Sequence, residues 1–443
     1  MEVPTDCPQR DERLGWTGDA QVFMPTAAFN MDVASFFTKW QRDLEDSQGA
    51  DGTIPSFAPV VRYESRADAR DGGPAWSDAV VICPWTIFKR YGDIRILERH
   101  YESMKSWLQS LSDQGSGLIR SDESFVGWGG YGDWVSMDAP EGSTVGATPK
   151  DLIGTAYFAR VSGLMEQIAR LLSHDQDEVR FKELRRRVVM AFRDEYVTPR
   201  GRLLGDTQTA YVVALAFDLL PPDLRQTALD RLVSDIERRG NRLSTGFVGT
   251  PLLCPVLTRF GRVDIAYKLL LHQEYPSWLY TVQQGATTMW ERWNSYTIEN
   301  GFGPVEMNSF NHYAYGAIGE WMYATVSGLS VDFSSETGSP IEIAPQPGYG
   351  LTRASAELLT PYGFARSSWQ LHEGTVTLSI VVPANTSANL SVPSGGAEIE
   401  IDTAELTSGD SVPVDQLVVR VGTTNGSHEF RVAAGRYTFR WAL

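Results

Sequence analysis

From about Ala20 to Val326 the apolar residues recur at intervals of three and four, the period that puts them on one face of a helix. This spacing predicts helices near 20–47, 75–91, 93–112, 150–173, 175–195, 206–219, 221–239, 248–260, 262–272, 275–284 and 309–326, separated by loops rich in Gly and Pro. Several pairs are joined by a tight turn, as at Tyr91-Gly92-Asp93 and Leu220-Pro221-Pro222, so neighbouring helices should run antiparallel. Helical hairpins in series suggest a toroid or a solenoid. The chain lacks a self-similar period of the repeat-protein kind, which counts against the solenoid.

After Gly328 the period falls to two. Runs such as Thr375-Val376-Thr377-Leu378-Ser379-Ile380-Val381-Val382, Gln416-Leu417-Val418-Val419-Arg420-Val421 and Gly435-Arg436-Tyr437-Thr438-Phe439-Arg440-Trp441 alternate apolar with polar between Gly, Pro and Asn, the signature of antiparallel strands. The expected fold is therefore mainly α with a β tail: a helical domain over 1–327 and an antiparallel β-sandwich over 328–443.

Composition narrows the partners. The 443 residues carry 39 Lys and Arg against 55 Asp and Glu, a net charge of −16 that repels phosphate backbones and anionic lipid, so neither nucleic acid nor membrane is an expected partner. Aromatic residues make up 11%, with 13 Trp, and rings backed by carboxylates suit a neutral, hydroxyl-rich ligand. Three cysteines at wide spacings, without a CxxC pair or zinc-type His spacing, read as reduced thiols and give no reason to expect a metal or other cofactor. The N-terminus lacks the basic and apolar regions of a signal peptide, and no stretch is long and apolar enough for a membrane span. The sequence as it stands reads as cytoplasmic, or as extracellular if an export signal lies upstream of Met1. Nothing in it fixes an oligomeric state.

Two polar clusters stand out. Asp6-Cys7-Pro8-Gln9-Arg10-Asp11-Glu12-Arg13-Leu14-Gly15-Trp16-Thr17-Gly18-Asp19 is either a solvated segment whose acids cap the first helix or, given Trp16 and two glycines, a built site. The second runs from Gly285 through Trp290-Glu291-Arg292-Trp293-Asn294 and on to Asn308-Ser309-Phe310-Asn311-His312-Tyr313. A Glu between two Trp residues is either paired with an Arg in the core or used chemically, and His312 by itself reads as a hydrogen-bonded core histidine. Two acids in aromatic surroundings suggest glycoside hydrolysis, which needs a carboxylic acid to protonate the leaving oxygen and a second carboxylate at the anomeric carbon or its attacking water; Glu12 and Glu291 are the candidates. A phosphate loop, a GxSxG elbow, an HExxH pair and a GxGxxG following a strand are all missing, so phosphoryl transfer, serine hydrolysis, zinc proteolysis and dinucleotide chemistry lack their parts.

At these clusters the sequence resembles the α-L-rhamnosidases of glycoside hydrolase family 78. The segment Asp6 to Asp19 matches that family's hallmark over its whole length. Shorter matches follow at Pro74-Ala75-Trp76-Ser77-Asp78-Ala79, Gly132-Asp133-Trp134, Asp206-Thr207-Gln208-Thr209-Ala210-Tyr211, Thr245-Gly246-Phe247-Val248-Gly249-Thr250, Trp290 to Trp293 and Phe310-Asn311-His312-Tyr313. The resemblance implies an (α/α)6 barrel followed by a β-sandwich. It implies inverting hydrolysis of terminal, non-reducing α-L-rhamnose from small-molecule or oligosaccharide rhamnosides, with Glu12 as general acid and Glu291 as general base. Asp6, Arg10 and Asp19 would then contact rhamnose hydroxyls with His312 beside them. Trp16, Trp76, Trp134, Trp290 and Trp293 would supply the wall, and Asp133 goes with the same substrate-binding set. No metal enters that chemistry, and inversion sets the two carboxyls about 6.5–9.5 Å apart. Two other readings keep the helical fold: a glycosidase for a different sugar, or a non-catalytic carbohydrate-binding fragment.

In the family, the first barrel helix and further β-sandwich domains precede the hallmark segment, whereas here Met1 lies five residues before Asp6. The eleven helices read from the pattern are one short of the twelve an (α/α)6 barrel needs. Either the barrel lacks its first helix or another element closes the ring; a missing helix would bare its neighbours' apolar faces at about 25 cal/mol per Å², with reduced stability and low activity expected.

Overall fold

The computed structural model describes residues 3–8, 13–60, 73–114, 118–120, 130–403, 414–424 and 426–443. Its contacts group the chain into two compact units. One takes the chain up to Ala27, Asp32–Thr86 and Ile94–Ile318; the other takes Ala28–Met31, Ile87–Asp93 and Gly319–Leu443.

The first unit is built of helices. In chain order the helices are α1 (Thr17–Asn30), α2 (Ala34–Ser47), α3 (Ala79–Tyr91), α4 (Arg95–Gln114), α5 (Lys150–Leu171), α6 (Asp175–Tyr196), α7 (Gln208–Ala216), α8 (Pro222–Arg238), α9 (Thr250–Arg259), α10 (Val263–Leu270), α11 (Trp278–Gln283) and α12 (Ile318–Trp321), the last continued by a π-turn over Met322–Val326; the ends of α1 and α3, and α12 after Ile318 with its π-turn, fall in the second unit. Burial sorts them. Helix α7 is buried at every position from Gln208 to Leu215, and α5 is buried almost all round, whereas α6 buries a stripe of Phe181, Val188, Val189, Phe192 and Tyr196 and turns its Arg and Glu residues outward. An all-round apolar helix belongs inside and an amphipathic one outside. Helix α5 packs on α6, α7 on α8 and α9 on α10, while α7 touches both α5 and α9. From α5 to α10 hairpins thus follow one another, and in the first two the inner helix is α5 or α7 and the outer one α6 or α8.

Among the described residues, eleven helices, α1 to α11, lie in the first unit apart from the ends of α1 and α3, and only Ile318 of α12 joins them. The pattern over 20–47 is two helices, not one. Helix α1 stops at Asn30, and the Asp32 carboxylate accepts the Ala34 N–H at 3.2 Å, satisfying a free donor at the start of α2. The apolar period runs through this break, so periodicity alone hides it. The first helical segment also meets the last: Thr26 donates to the Gly316 and Ala317 carbonyls at 3.2 Å, and Phe23 stacks on Tyr313 with ring centroids 5.0 Å apart. The expected helix over 309–326 begins only at Ala314, since the backbone before it is bonded elsewhere.

In the second unit the strands form one hydrogen-bonded ladder. Strands β1 (Tyr296–Thr297) and β2 (Gly301–Phe302) make a small separate hairpin in the first unit. The ladder comprises β3 (Leu329–Val331), β4 (Ile341–Ile343), β5 (Arg353–Thr360), β6 (Gly363–His372), β7 (Thr375–Val392), β8 (Glu400–Thr403), β9 (Val418–Thr424) and β10 (Ser427–Ala442). Strands β7 and β10 pair antiparallel along their whole length, with a register shift between Ala433 and Gly435. On one side of that shift they carry β6 and β8; on the other they carry β4 and β9. Residues of both halves share one core, including Ile341, Leu390 and Val432 from one and Trp369, Leu378 and Phe439 from the other, as a sandwich requires. The expected strand 416–421 starts later, because Gln416 and Leu417 close a short helical turn.

The alternation along β7 buries Leu378 and exposes Ser379. We expect Leu378→Ala to cost about 2–5 kcal/mol of stability and Ser379→Ala less than about 0.5 kcal/mol, read as shifts in chemical denaturation midpoint.

Candidate active site

The loop leading into α1 is fixed by backbone pairing. Gly15 accepts the Ala58 N–H at 3.0 Å, and Thr17 donates to the Ser56 carbonyl at 2.9 Å. A side chain at position 15 would meet the Ala58 carbonyl and Val3 at 2.4 Å, so this approach needs glycine. One residue on, Trp16 meets Phe57 and Tyr131 edge-on at 5.3 and 5.6 Å. Gly18 lets the Trp76 ring lie directly on α1, since a Cβ there would fall 2.3 Å from it. Trp76 then contacts Tyr131 at 4.7 Å, and Tyr131 contacts Trp134 at 5.9 Å. The turn holding Trp76 is set by the buried Asp78, which accepts the Ala75 N–H at 2.8 Å and pairs with the buried Arg120 at 3.3 Å.

These four rings border a cleft of about 280 Å³ lined also by Asp6, Asp19, Phe247, Glu291, Glu306, Met307 and His312. A concave, ring-walled pocket with a few convergent polar groups is the usual form of a small-molecule site.

Its polar floor is a histidine between two carboxylates. His312 Nε2 lies 3.4 Å from Asp6 Oδ2 and 3.3 Å from Asp19 Oδ1, all three residues being buried. The Ala314 N–H points at His312 Nδ1, which places the ring proton on Nε2, toward the acids. Burial pushes the Asp19 carboxyl up to about 7; His312 pulls it down, and the negative charges of Asp6 and Glu291 add to the rise. For His312 burial opposes the charged form, but the hydrogen bond to Asp6 and the charges of Asp19, Asp6 and Glu291 outweigh it and raise its pKa.

Glu291 is held by reciprocal bonds to one residue. Its N–H donates to the Ser309 carbonyl at 2.9 Å, and the Ser309 N–H donates to its Oε2 at 2.8 Å. The next turn is tied in the same way, with the His312 N–H donating to the Met289 carbonyl at 2.9 Å. Segments 289–291 and 309–312 therefore pair backbone to backbone, which is why helix is absent there.

Seven sequence-derived residues thus line one cleft: Asp6, Trp16, Asp19, Trp76, Trp134, Glu291 and His312. Arg10 and Glu12 lie outside the described residues. Asp133, Trp290 and Trp293 do not line it. Trp293 donates from Nε1 to the Thr245 carbonyl at 3.1 Å and stacks on Tyr315, making it part of the support beneath the site. Trp290 is buried edge-on against Phe310.

Asp133 is fully buried and acts on a loop instead. Its Oδ2 accepts the Thr209 hydroxyl and the Gly246 N–H, and its Oδ1 accepts the N–H groups of Val248 and Gly249 at 2.9 and 3.2 Å. Burial raises its pKa to about 6 against the pull of these bonds. By pinning 246–249 it delivers Phe247 to the cleft, helped by the Phe247 N–H bond to the Trp134 carbonyl at 3.0 Å.

Four lining residues were not anticipated. Tyr131 and Phe247 sit next to or within segments singled out above, so ring chemistry beside Gly132-Asp133-Trp134 and between Gly246 and Gly249 was the available signal. Glu306 and Met307, on a 3-10 turn over Val305–Met307, carry no local signal.

A domain of helical hairpins bearing an acid-floored, ring-walled cleft, followed by a β-sandwich, defines a class of glycosidase domains. The chain belongs to the bacterial α-L-rhamnosidase family: residues 1–326 match its 6 hairpin glycosidase domain, and residues 340–406 match its C-terminal domain. It is 40% identical to an alpha-L-rhamnosidase of Formosa agariphila, over 97% of this chain and 46% of that protein. To an alpha-L-rhamnosidase of Streptomyces avermitilis it is 41% identical over 98% of this chain and 39% of that protein. The crystal structure of the Streptomyces avermitilis enzyme complexed with L-rhamnose superposes with a TM-score of 0.87 at 40% identity, covering 99% of this chain and 39% of that one. The native enzyme from Aspergillus terreus gives 0.84 at 32% identity, covering all of this chain and 47% of that one. The chain therefore spans less than half the length of these relatives. Among the described residues, no helix is long and apolar enough to cross a membrane.

Two outcomes follow from the site's geometry. Asp19 binds a proton in the folded protein between pH about 4 and 7 that it would release unfolded, so its contribution to stability falls as pH rises through that window. Asp19→Asn should therefore gain in melting temperature relative to the parent between pH 4 and 7; a constant offset would contradict the assignment. Asp133→Ala leaves buried backbone donors unpaired and should cost about 1–3 kcal/mol for each that finds no other partner, measured by chemical denaturation.

Proposed function

We propose that the chain hydrolyses terminal, non-reducing α-L-rhamnosides with inversion at the anomeric carbon, Glu291 being the general base and Glu12 the general acid. The observation that carries this reading is the place of Glu291: a buried carboxylate, gripped by the Ser309 backbone, in a cleft shared by five aromatic rings and the Asp6–His312–Asp19 floor. Membership of the α-L-rhamnosidase family and the L-rhamnose in the Streptomyces avermitilis relative supply the sugar.

In this mechanism the base needs its lone pairs free of a proton and aimed at a water. The Ser309 N–H bond to Oε2 fixes the plane of the carboxylate. Glu291 takes a proton from water as that water attacks the anomeric carbon from the face opposite the aglycone. Glu12 gives its proton to the departing glycosidic oxygen. Positive charge grows on the ring oxygen and anomeric carbon in the transition state, and the negative charges of Asp6 and Glu291 favour it, joined by Asp19 once it has lost its proton. Asp6, Asp19 and the Nε2–H of His312 offer acceptors and a donor to the sugar hydroxyls. Trp16, Trp76, Tyr131, Trp134 and Phe247 cover its apolar faces and C6 methyl.

Glu291→Gln should lower kcat on an alkyl or aryl α-L-rhamnoside by about 10²–10⁴-fold. Glu12→Gln should do the same on the alkyl substrate and less on an aryl one, whose leaving group needs less help. Proton NMR of the fresh reaction should find β-L-rhamnose as the first anomer. Full activity in both variants, or the α-anomer formed first, would contradict the proposal.

A further inference from the structure

The floor of the cleft holds a feature the hydrolytic reading does not use. Cys7, adjacent to Asp6, is fully buried, and its Sγ, an Asp6 carboxylate oxygen and a His312 ring nitrogen all lie within 4.8 Å of one another. This is the one group of three His, Cys, Asp or Glu ligands gathered in this way among the described residues. Cys7 and His312 are far apart in sequence, so no ligand spacing announces them.

A second observation points the same way. Asp6 is 4% exposed, and while its Oδ2 faces His312, its Oδ1 has no hydrogen-bond partner among the described residues. A buried carboxylate oxygen without a partner costs free energy that a bound ligand would recover. Sugar hydroxyls are one such ligand. A cation is another, and the donor set selects which kind: a thiolate and an imidazole with one carboxylate suit a thiophilic divalent ion far better than Mg²⁺ or Ca²⁺. Bond lengths of about 2.0–2.3 Å would bring the three donors to within roughly 3.3–3.8 Å of each other, a contraction of about 1 Å from the 4.8 Å limit.

We propose that Asp6, Cys7 and His312 form a binding site for a thiophilic divalent cation of the Zn²⁺ and Cd²⁺ class, and that its occupancy blocks the cleft to sugar. The ion takes no part in hydrolysis. It displaces the Cys7 thiol proton and the His312 Nε2 proton, and it turns Asp6 and His312, both cleft-lining residues, from the ligand to the metal. Inhibition is then competitive with the sugar. The other two thiols are internal controls: among the described residues Cys83 and Cys254 belong to no such group, and burial pushes both thiols up, Cys254 to about 12.

The test uses the full chain and a readout that does not depend on turnover. Titration with Co²⁺ as a probe should give a thiolate-to-metal charge-transfer band that saturates at one equivalent and is displaced by Zn²⁺. Cys7→Ser should abolish the band and weaken Cd²⁺ binding, followed by calorimetry, by more than about tenfold, whereas Cys254→Ser should leave both unchanged. Zinc K-edge absorption of the wild-type chain with one equivalent of Zn²⁺ should find one sulfur among nitrogen and oxygen neighbours, and this arm stands even if Cys7→Ser misfolds. With an aryl α-L-rhamnoside, an arm that rests on the proposed function, Zn²⁺ should raise KM and leave kcat unchanged. No charge-transfer band at one equivalent, a band retained in Cys7→Ser, or a zinc shell without sulfur would overturn the proposal whether or not the chain hydrolyses rhamnosides.

Discussion

The helical unit depends on one buried interaction, the imidazole of His312 held between the carboxylates of Asp6 and Asp19. Asp6 precedes the first helix and His312 lies just before the last, so this cluster joins the beginning of the helical unit to its end. Around it the same two stretches are fastened again: the Tyr313 hydroxyl donates to the Pro4 carbonyl at 2.9 Å, Phe23 stacks on Tyr313, and Thr26 donates to the carbonyls of Gly316 and Ala317. Two carboxylates cannot be buried side by side without a cation or a proton between them. The histidine supplies both, and it can do so only where the two ends of the unit meet. The geometry that closes the helical unit is therefore the geometry that builds the floor of the cleft.

The walls obey a different constraint, close approach. Trp76 can lie against α1 because residue 18 is glycine, and the loop bearing Trp16 can pair with 56–58 because residue 15 is glycine. Farther round, buried acids act as anchors for the loops. Asp78, paired with Arg120, sets the Trp76 turn, and Asp133 sets the turn that presents Phe247. Rings meet the ligand, while acids one layer beneath hold the backbone that carries the rings. In such an arrangement an acidic residue beside a tryptophan is as readily a loop anchor as a ligand contact, which is why Asp133 and Trp134 have different duties though they are neighbours.

The sequence makes the fold class legible because its two periods are clean and switch near Gly328. What periodicity conceals is the break at Asn30-Met31-Asp32, where the apolar stripe continues while the backbone restarts with its Ala34 N–H held by the Asp32 carboxylate. It also conceals the loss of helix before Ala314, where the backbone of Ser309 and His312 bonds across to Glu291 and Met289. Of the site, the polar floor and three ring positions are legible through motif matches, the long one from Asp6 to Asp19 and the shorter ones that hold Trp76, Trp134 and His312. Trp290 and Trp293 mislead because a Trp beside a key Glu can point beneath the site as easily as into it, and a sequence does not say which. Glu306 and Met307 reach the cleft through the path of a loop, which no local pattern encodes.

The central claim is that the ring walls and the Asp6–His312–Asp19 floor together form a sugar site served by Glu291. It is tested most directly by the binding of an intact α-L-rhamnoside to the slow Glu291→Gln variant, followed through the fluorescence of the cleft tryptophans. The account predicts saturable binding to Glu291→Gln, lost when His312→Gln or Trp76→Ala is added to a variant that still folds. Undiminished binding after either addition would contradict it.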